Sequence, residues 1–242
     1  MSRRLGVQVG PLTAEVDLVL EVGPGGGTVV HALGHPGFIH RASAEDQALR
    51  EAPVALWKFG RWLWTHGERP FRGGPPRVRV VERVAVPHDL EAPHAWALFE
   101  AEQAPLDDAA LESFRTRWAW AEEDLADLVT PLPPEVMGRP ARPGAPAPNQ
   151  ILDRLLTLQR ADAAVFGLNP PPGEGEEPLE ALRNLRQAVL AGLERQSPDA
   201  WTQVTLHQRE GQAVPEPWTL AKLLRRLLQV QREQLAALRR AL

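Results

Sequence analysis

The chain has 242 residues, of which 43% are hydrophobic and 24% charged; that is ordinary globular composition and room for two domains. Cysteine is absent, which excludes a disulfide scaffold, a thiolate nucleophile and cysteine-held zinc or iron–sulfur sites. A net charge of −4 gives no reason to expect nucleic acid, no apolar run is long enough to span a membrane, and the start Met1-Ser2-Arg3-Arg4-Leu5 leads into no apolar stretch, so a cytoplasmic protein is expected.

From Glu15 to Val22 the apolar residues Val16, Leu18, Leu20 and Val22 alternate, which predicts a strand with one buried face. Gly23-Pro24-Gly25-Gly26-Gly27 breaks it, and Thr28 to Leu33 resumes with Val29, His31 and Leu33 on one side, so the pair reads as a hairpin. A phosphate-cradling loop would need a Lys-Ser/Thr and then a helix, and neither follows. Phe38 to Arg41 predicts a third short strand. Ser43 stands as N-cap before Ala44-Glu45-Asp46, and Leu49, Ala52, Leu56, Phe59 and Leu63 mark a helix ending near His66-Gly67. Pro53 predicts a kink, or a short first helix before the main one. Residues 77–86 return as a strand, completing β-β-β-α-β.

His31, His35 and His40 invite a metal reading. They fall on a strand, a turn and another strand, with no carboxylate near before Glu45, so polar surface is the plainer expectation. His66 reads as a cation at a helix end. Trp57, Trp62 and Trp64 lie beside Leu56 and Leu63 without a basic stripe, which favours core packing and a partly exposed patch over base stacking.

Asp107-Asp108 precedes a helical stripe of Leu111, Phe114, Trp118, Ala121, Leu125 and Leu128. Pro131, Pro133 and Pro134 stop it, and Pro140 to Pro148 reads as an extended, exposed loop. Ile151, Leu152, Leu155, Leu158, Val165 and Phe166 mark a second helix, ended by Pro170-Pro171-Pro172-Gly173. Leu179, Leu182, Leu185, Val189 and Leu193 mark a third. Trp201 to Gly211 connects to a last helix, which starts near Pro217-Trp218 and is rich in leucine. The expected class is therefore α+β: residues 1–86 as the sheet-and-helix module, 87–106 as a connecting segment, and 107–242 as an antiparallel four-helix bundle with one longer connection. Trp96, Leu98 and Phe99 in the connecting segment predict that it packs against both modules.

Two resemblances follow. Val30-His31-Ala32 leading into Pro36-Gly37, a helix with Ala48-Leu49 and Pro53, then Trp62-Leu63 and His66-Gly67, resemble the HicB-like module, a partial ribonuclease-H-type unit. The acidic helix start before Leu111, Glu123-Asp124-Leu125, Asn149-Gln150-Ile151-Leu152 and above all the segment from Trp218 through Thr219, Lys222 and Arg226 to Leu228 resemble the DinB-like four-helix bundle. Many DinB-like proteins hold a divalent metal on three histidines, one from the second bundle helix and a His-x-x-x-His pair from the last. Residues four apart stack on one helix face, so two imidazoles can meet one ion. The resemblance sets these positions on Arg154, Val230 and Gln234. A guanidinium repels a cation, valine has no lone pair, and an amide is a poor zinc or nickel ligand. No histidine lies between His94 and His207, so a change of register restores none on the second helix.

Nothing else assembles a catalytic set. His207 stands alone in a connecting segment; Glu233, Asp153 and Asp162 could make an oxygen site, but carboxylates on bundle helices read more simply as solvated faces. Ser43, Ser113 and Ser197 lack a nucleophile-elbow context, and Glu122-Glu123-Asp124 run around a helix. The expectation is a metal-free, non-enzymatic DinB-like protein without cofactor, binding a protein partner or a small apolar ligand, with a homodimer left open. The alternative is a metal-dependent thiol transferase or hydrolase of the same type, using other ligands. A third reading gives the HicB-like module a toxin-type partner; against it, a bundle stands where such antitoxins append a DNA-binding segment.

Overall fold

The computed structural model describes residues 14–90, 96–171, 176–208 and 214–242. The expectations about the first five residues, His94, Pro172-Gly173 and Gly211 fall outside them. The class is α+β. The chain divides into two compact units, Met1–Phe99 and Glu100–Leu242, so the boundary falls inside the segment 87–106. Among the described residues no helix is long and apolar enough to cross a membrane.

In the first unit, β1 (Glu15–Val22), β2 (Thr28–His31), β3 (Ile39–Ala42), α1 (Glu45–Thr65) and β4 (Arg77–Ala85) follow in order. The sheet runs β3-β2-β1-β4, antiparallel except for the β1–β4 pair, which α1 makes parallel by crossing over. Gly26 takes the positive φ of 83° that closes the hairpin, with the Gly23 N–H donating to Gly27 O at 2.9 Å.

The helix differs from expectation in three places. Its N-cap is Ala44, and Ser43 instead donates its hydroxyl to Gln47 Oε1 at 2.9 Å. Pro53 sits within one continuous 21-residue helix, so no separate first helix forms. Ala48 is the buried residue of the first turn, while Leu49 is half-buried. The end is as read: Gly67 has φ 94°, and the Glu68 N–H reaches back to Leu63 O at 2.9 Å.

β1 is buried on both faces over its second half, against the alternation in its sequence. The β1–β4 register shifts between Leu18 and Val19. Beyond it, Val19 joins Val86, Trp96, Ala97 and Phe99 in a small core. The chain after β4 thus returns over Val19 and shields that part of the sheet.

In the second unit a 3₁₀ turn, Glu100–Gln103, precedes α2 (Asp108–Val129), α3 (Pro134–Met137), α4 (Pro148–Ala164), α5 (Pro178–Glu194), α6 (Pro198–Thr202), β5 (Thr205–His207), β6 (Glu216–Trp218) and α7 (Leu220–Ala241). Asp107 caps α2 by accepting from the Ala110 N–H at 2.7 Å. α4 opens with Pro148 at its first position, so the proline-rich loop feeds directly into a helix start. The expected start of the last helix is corrected: Pro217 and Trp218 lie on β6, in a two-stranded hairpin with β5, and Thr219 is the cap, its Oγ1 accepting from the Lys222 N–H at 3.2 Å.

The four long helices form a ring in which α7 packs on α2 and α4, and α5 packs on α4 and α2. Contacts fix their directions. Trp118 meets Gln231 and Asp124 meets Arg239, so α2 and α7 are parallel. Gln159 meets Leu227 and Asp162 meets Arg226, so α4 runs against α7. Arg115 meets Glu194 and Arg183 meets Glu122, so α5 runs against α2. α4 and α5 are consequently parallel, up-down-down-up, and not the antiparallel neighbours expected from sequence. Leu168, just past α4, accordingly lies against Gly192 near the end of α5, which leaves no room there for a Cβ.

Candidate functional site

The centre of the bundle is polar. The α4 stripe was expected to pass through Leu158, Val165 and Phe166, which are half-buried; Gln159, Asp162 and Ala163 take the interior positions instead. α7 has an interior column of Leu224, Leu227, Gln231, Leu235 and Leu238, so Gln231 stands where the spacing calls for an apolar side chain. These two intrusions meet. Gln159 Nε2 donates to Leu227 O at 2.9 Å and to Gln231 Oε1 at 3.1 Å. Gln231 Oε1 also accepts from the Trp118 indole N–H at 3.0 Å. Gln159 and Gln231 are 1% and 2% exposed. Among the described residues, Gln159 Oε1 and Gln231 Nε2 have no hydrogen-bond partner. One turn along, Arg226 and Asp162 approach to 3.6 Å, both buried.

A second polar cluster surrounds the start of α7. Lys222 is fully buried, its Nζ 2.9 Å from Glu216 Oε1, donating to Pro217 O at 2.8 Å and 4.8 Å from the centre of a Trp218 ring. Burial pushes the Lys222 ammonium down to about 8, opposed by Glu216 and assisted by Arg225 and Arg226. Arg225 binds the two Glu102 oxygens at 2.5 and 3.1 Å and so ties the 3₁₀ turn to the helix.

The residues singled out from sequence are distributed as follows. Val230 is fully buried among Leu125, Leu155, Leu182 and Leu235, and Gln234 is buried. Arg154 is exposed on α4 and so does not share their interior position. Asp153 is exposed, as read, whereas Asp162 is buried and Glu233 half-buried, which corrects the solvated reading of these two. His207 lies half-buried on β5. Ser43 is exposed, Ser113 half-buried and Ser197 exposed. Glu122 pairs with Arg183 and Arg186, a structural use. Among the described residues no three of His, Cys, Asp or Glu stand together as a metal site.

In the first unit the histidines separate, and His31 is not surface. Its Nε2 lies 2.6 Å from Glu21 Oε1, and both side chains are wholly buried. Glu21 Oε2 accepts the backbone N–H groups of Trp96 at 2.6 Å and Ala97 at 2.9 Å. Phe99 lies edge-on to His31, and His88 edge-on to Trp96. His35 lies edge-on to Phe71, His40 reaches Glu51 at 3.0 Å, and His66 lies edge-on to Trp62. Trp57 and Trp62 are half-buried; Trp64 is 54% exposed under the Arg69 guanidinium.

The sequence reading missed Gln159, Gln231 and Glu21. The first two carried a signal, a long polar side chain at an interior step of an apolar stripe. Glu21 carried none, since a glutamate before a glycine-rich turn reads as surface. No protein-family model, curated protein or solved structure matches the chain.

Proposed function

We propose that the chain is a metal-free, non-enzymatic DinB-like protein of the cytoplasm that acts by binding, through its bundle, a protein partner or a small ligand. The observation that carries this is the pair of buried amides, Gln159 and Gln231, bonded to each other and to the Trp118 indole at the bundle centre. Neutral amides neither shuttle protons near pH 7 nor hold zinc or nickel well, whereas they order hydrogen bonds in a low-dielectric interior. On this reading the place of the family's ion falls on Gln159, Leu227 and Gln231. There Gln159 on α4 donates to the Gln231 side chain and to the Leu227 backbone carbonyl, two α7 residues four apart. The HicB-like reading of the first unit has the sheet order and the α1 crossover as its support.

The test is metal content and metal linkage. An ion bound only by the folded state adds about 2.7 kcal/mol at a hundredfold excess over Kd. Elemental analysis is expected to find no stoichiometric transition metal, and chelator is expected to leave melting unchanged. A tightly bound ion, with melting lowered by chelator, would overturn the proposal and favour the metal-dependent enzyme.

A further inference from the structure

We infer that the Gln159–Gln231 pair is the seat of a ligand of one chemical class: a neutral group that presents an N–H donor and a carbonyl acceptor on one edge, as a lactam or a carboxamide does. The inference rests on reading the bundle centre as a binding site and names what it binds.

The two amides make half of a head-to-tail pair. Gln159 Nε2 gives its hydrogen to Gln231 Oε1, while Gln159 Oε1 and Gln231 Nε2 do not complete the ring. An amide N and O lie only about 2.3 Å apart. The unpaired acceptor and the unpaired donor therefore lie within roughly 8 Å of each other, given the 3.1 Å bond that links their amides. One small planar group can bridge two atoms held within that limit. Its N–H would meet Gln159 Oε1 and its carbonyl would meet Gln231 Nε2.

The surroundings select against other classes. An ion would lose its hydration against neutral amides, and the carboxylate one turn along, Asp162, already faces Arg226. A hydrocarbon would leave both unpaired atoms unsatisfied. Leu155 precedes Gln159 by four residues and Leu227 precedes Gln231 by four, so each amide has a fully buried leucine on its own helix face. Trp118 Nε1 already occupies Gln231 Oε1, which holds the Gln231 amide with Nε2 as its free arm. A compact guest with an apolar body and one amide edge matches this set.

The experiment titrates the full chain, labelled with ¹⁵N, with δ-valerolactam while following the Trp118 indole and glutamine side-chain amide signals. N-methyl-δ-valerolactam, which keeps the shape and carbonyl but has no N–H, is the comparison. Saturable shifts with the lactam, at least tenfold weaker with the N-methyl compound, are expected. Gln159→Met and Gln231→Met should each abolish the difference between the two compounds. If either variant fails to fold, the comparison on the unaltered chain still decides. No saturable shift with the lactam, or an equal response to both compounds, overturns the inference. A metal-free protein that ignores the lactam refutes this inference alone; a stoichiometric ion in the same preparation refutes the reading beneath it.

Discussion

Replacing Glu21 by alanine removes the acceptor for three donors at once. These are His31 Nε2 at 2.6 Å, the Trp96 N–H at 2.6 Å and the Ala97 N–H at 2.9 Å. Each buried group left unpaired costs about 1–3 kcal/mol, and water entering the vacated space recovers part of it, so Glu21→Ala should destabilise the first unit by about 3–6 kcal/mol. A domain is stable by only about 5–15 kcal/mol, so this is a large fraction of the whole. Glu21→Gln keeps the shape and one acceptor oxygen and should lose less. Urea titration of the full chain, followed by tryptophan fluorescence and fitted with separate transitions for the two units, gives the free energy. Hydrogen exchange at Ala97 gives the local effect, because its N–H is held by this carboxylate. A loss below about 1 kcal/mol for Glu21→Ala, with Ala97 still protected, would refute the claim that Glu21 fastens residues 96–97 to the sheet.

Three further outcomes are expected. Lys222 titrates near 8 in the fold against 10.5 when free, so unfolding takes up a proton between those values and this group makes stability rise with pH across the window, by up to about 3 kcal/mol; Lys222→Met should flatten that slope in urea titrations at pH 7.5 and 10.5, and an unchanged slope would assign it elsewhere. Placing histidine together at Gln159, Leu227 and Gln231 should create zinc or nickel affinity measurable by calorimetry, whereas the set Arg154, Val230 and Gln234 should not, because Arg154 is exposed; the reverse result would restore the register read from sequence. Gly60→Ala places a Cβ 2.5 Å from Phe71 Cδ2, so the variant should melt lower despite the better helix propensity of alanine, with a cost of about 1–3 kcal/mol; a higher melting temperature would show that Phe71 yields freely.

The periodic signals located the four strands of the first unit and the long helices, because burial of one face is what period two and period 3.6 record. The failures have physical causes in particular places. β1 looked half-buried because Val16, Leu18 and Leu20 alternate, yet Val19 and Glu21 are covered by Trp96 and Ala97, 75 or more positions later, and alternation carries no information about so distant a cover. Pro53 promised a break, but one lost backbone donor is tolerated when Ala52, Leu56 and Phe59 are buried on the same helix. The direction of α5 shows in its pairs with α2, Arg115–Glu194 and Arg183–Glu122, and proline-rich composition says where a helix stops but not where the chain goes next. The candidate site was half visible. The apolar stripes located α4 and α7, while their interior polar positions, Gln159 and Gln231, could be picked only once the stripes were known to be continuous through them.

The position of α7 sets the order in which the second unit can be made. It packs on both α2 and α4, buries residues around its whole circumference and supplies one of the two central amides, yet it is synthesised after every other helix. The first unit can close as soon as residues 96–99 have emerged, because its sheet and its own cover are all upstream. The nascent second unit, by contrast, holds α2, α4 and α5 with their inner faces uncovered, and Gln159 without its acceptor, until the last 22-residue helix arrives. Units fold from the N-terminus during synthesis at about 5–20 residues per second. A folded first unit is therefore joined for a time to an open bundle, and synonymous codons that slow translation of α7 would lengthen that exposure without changing a residue.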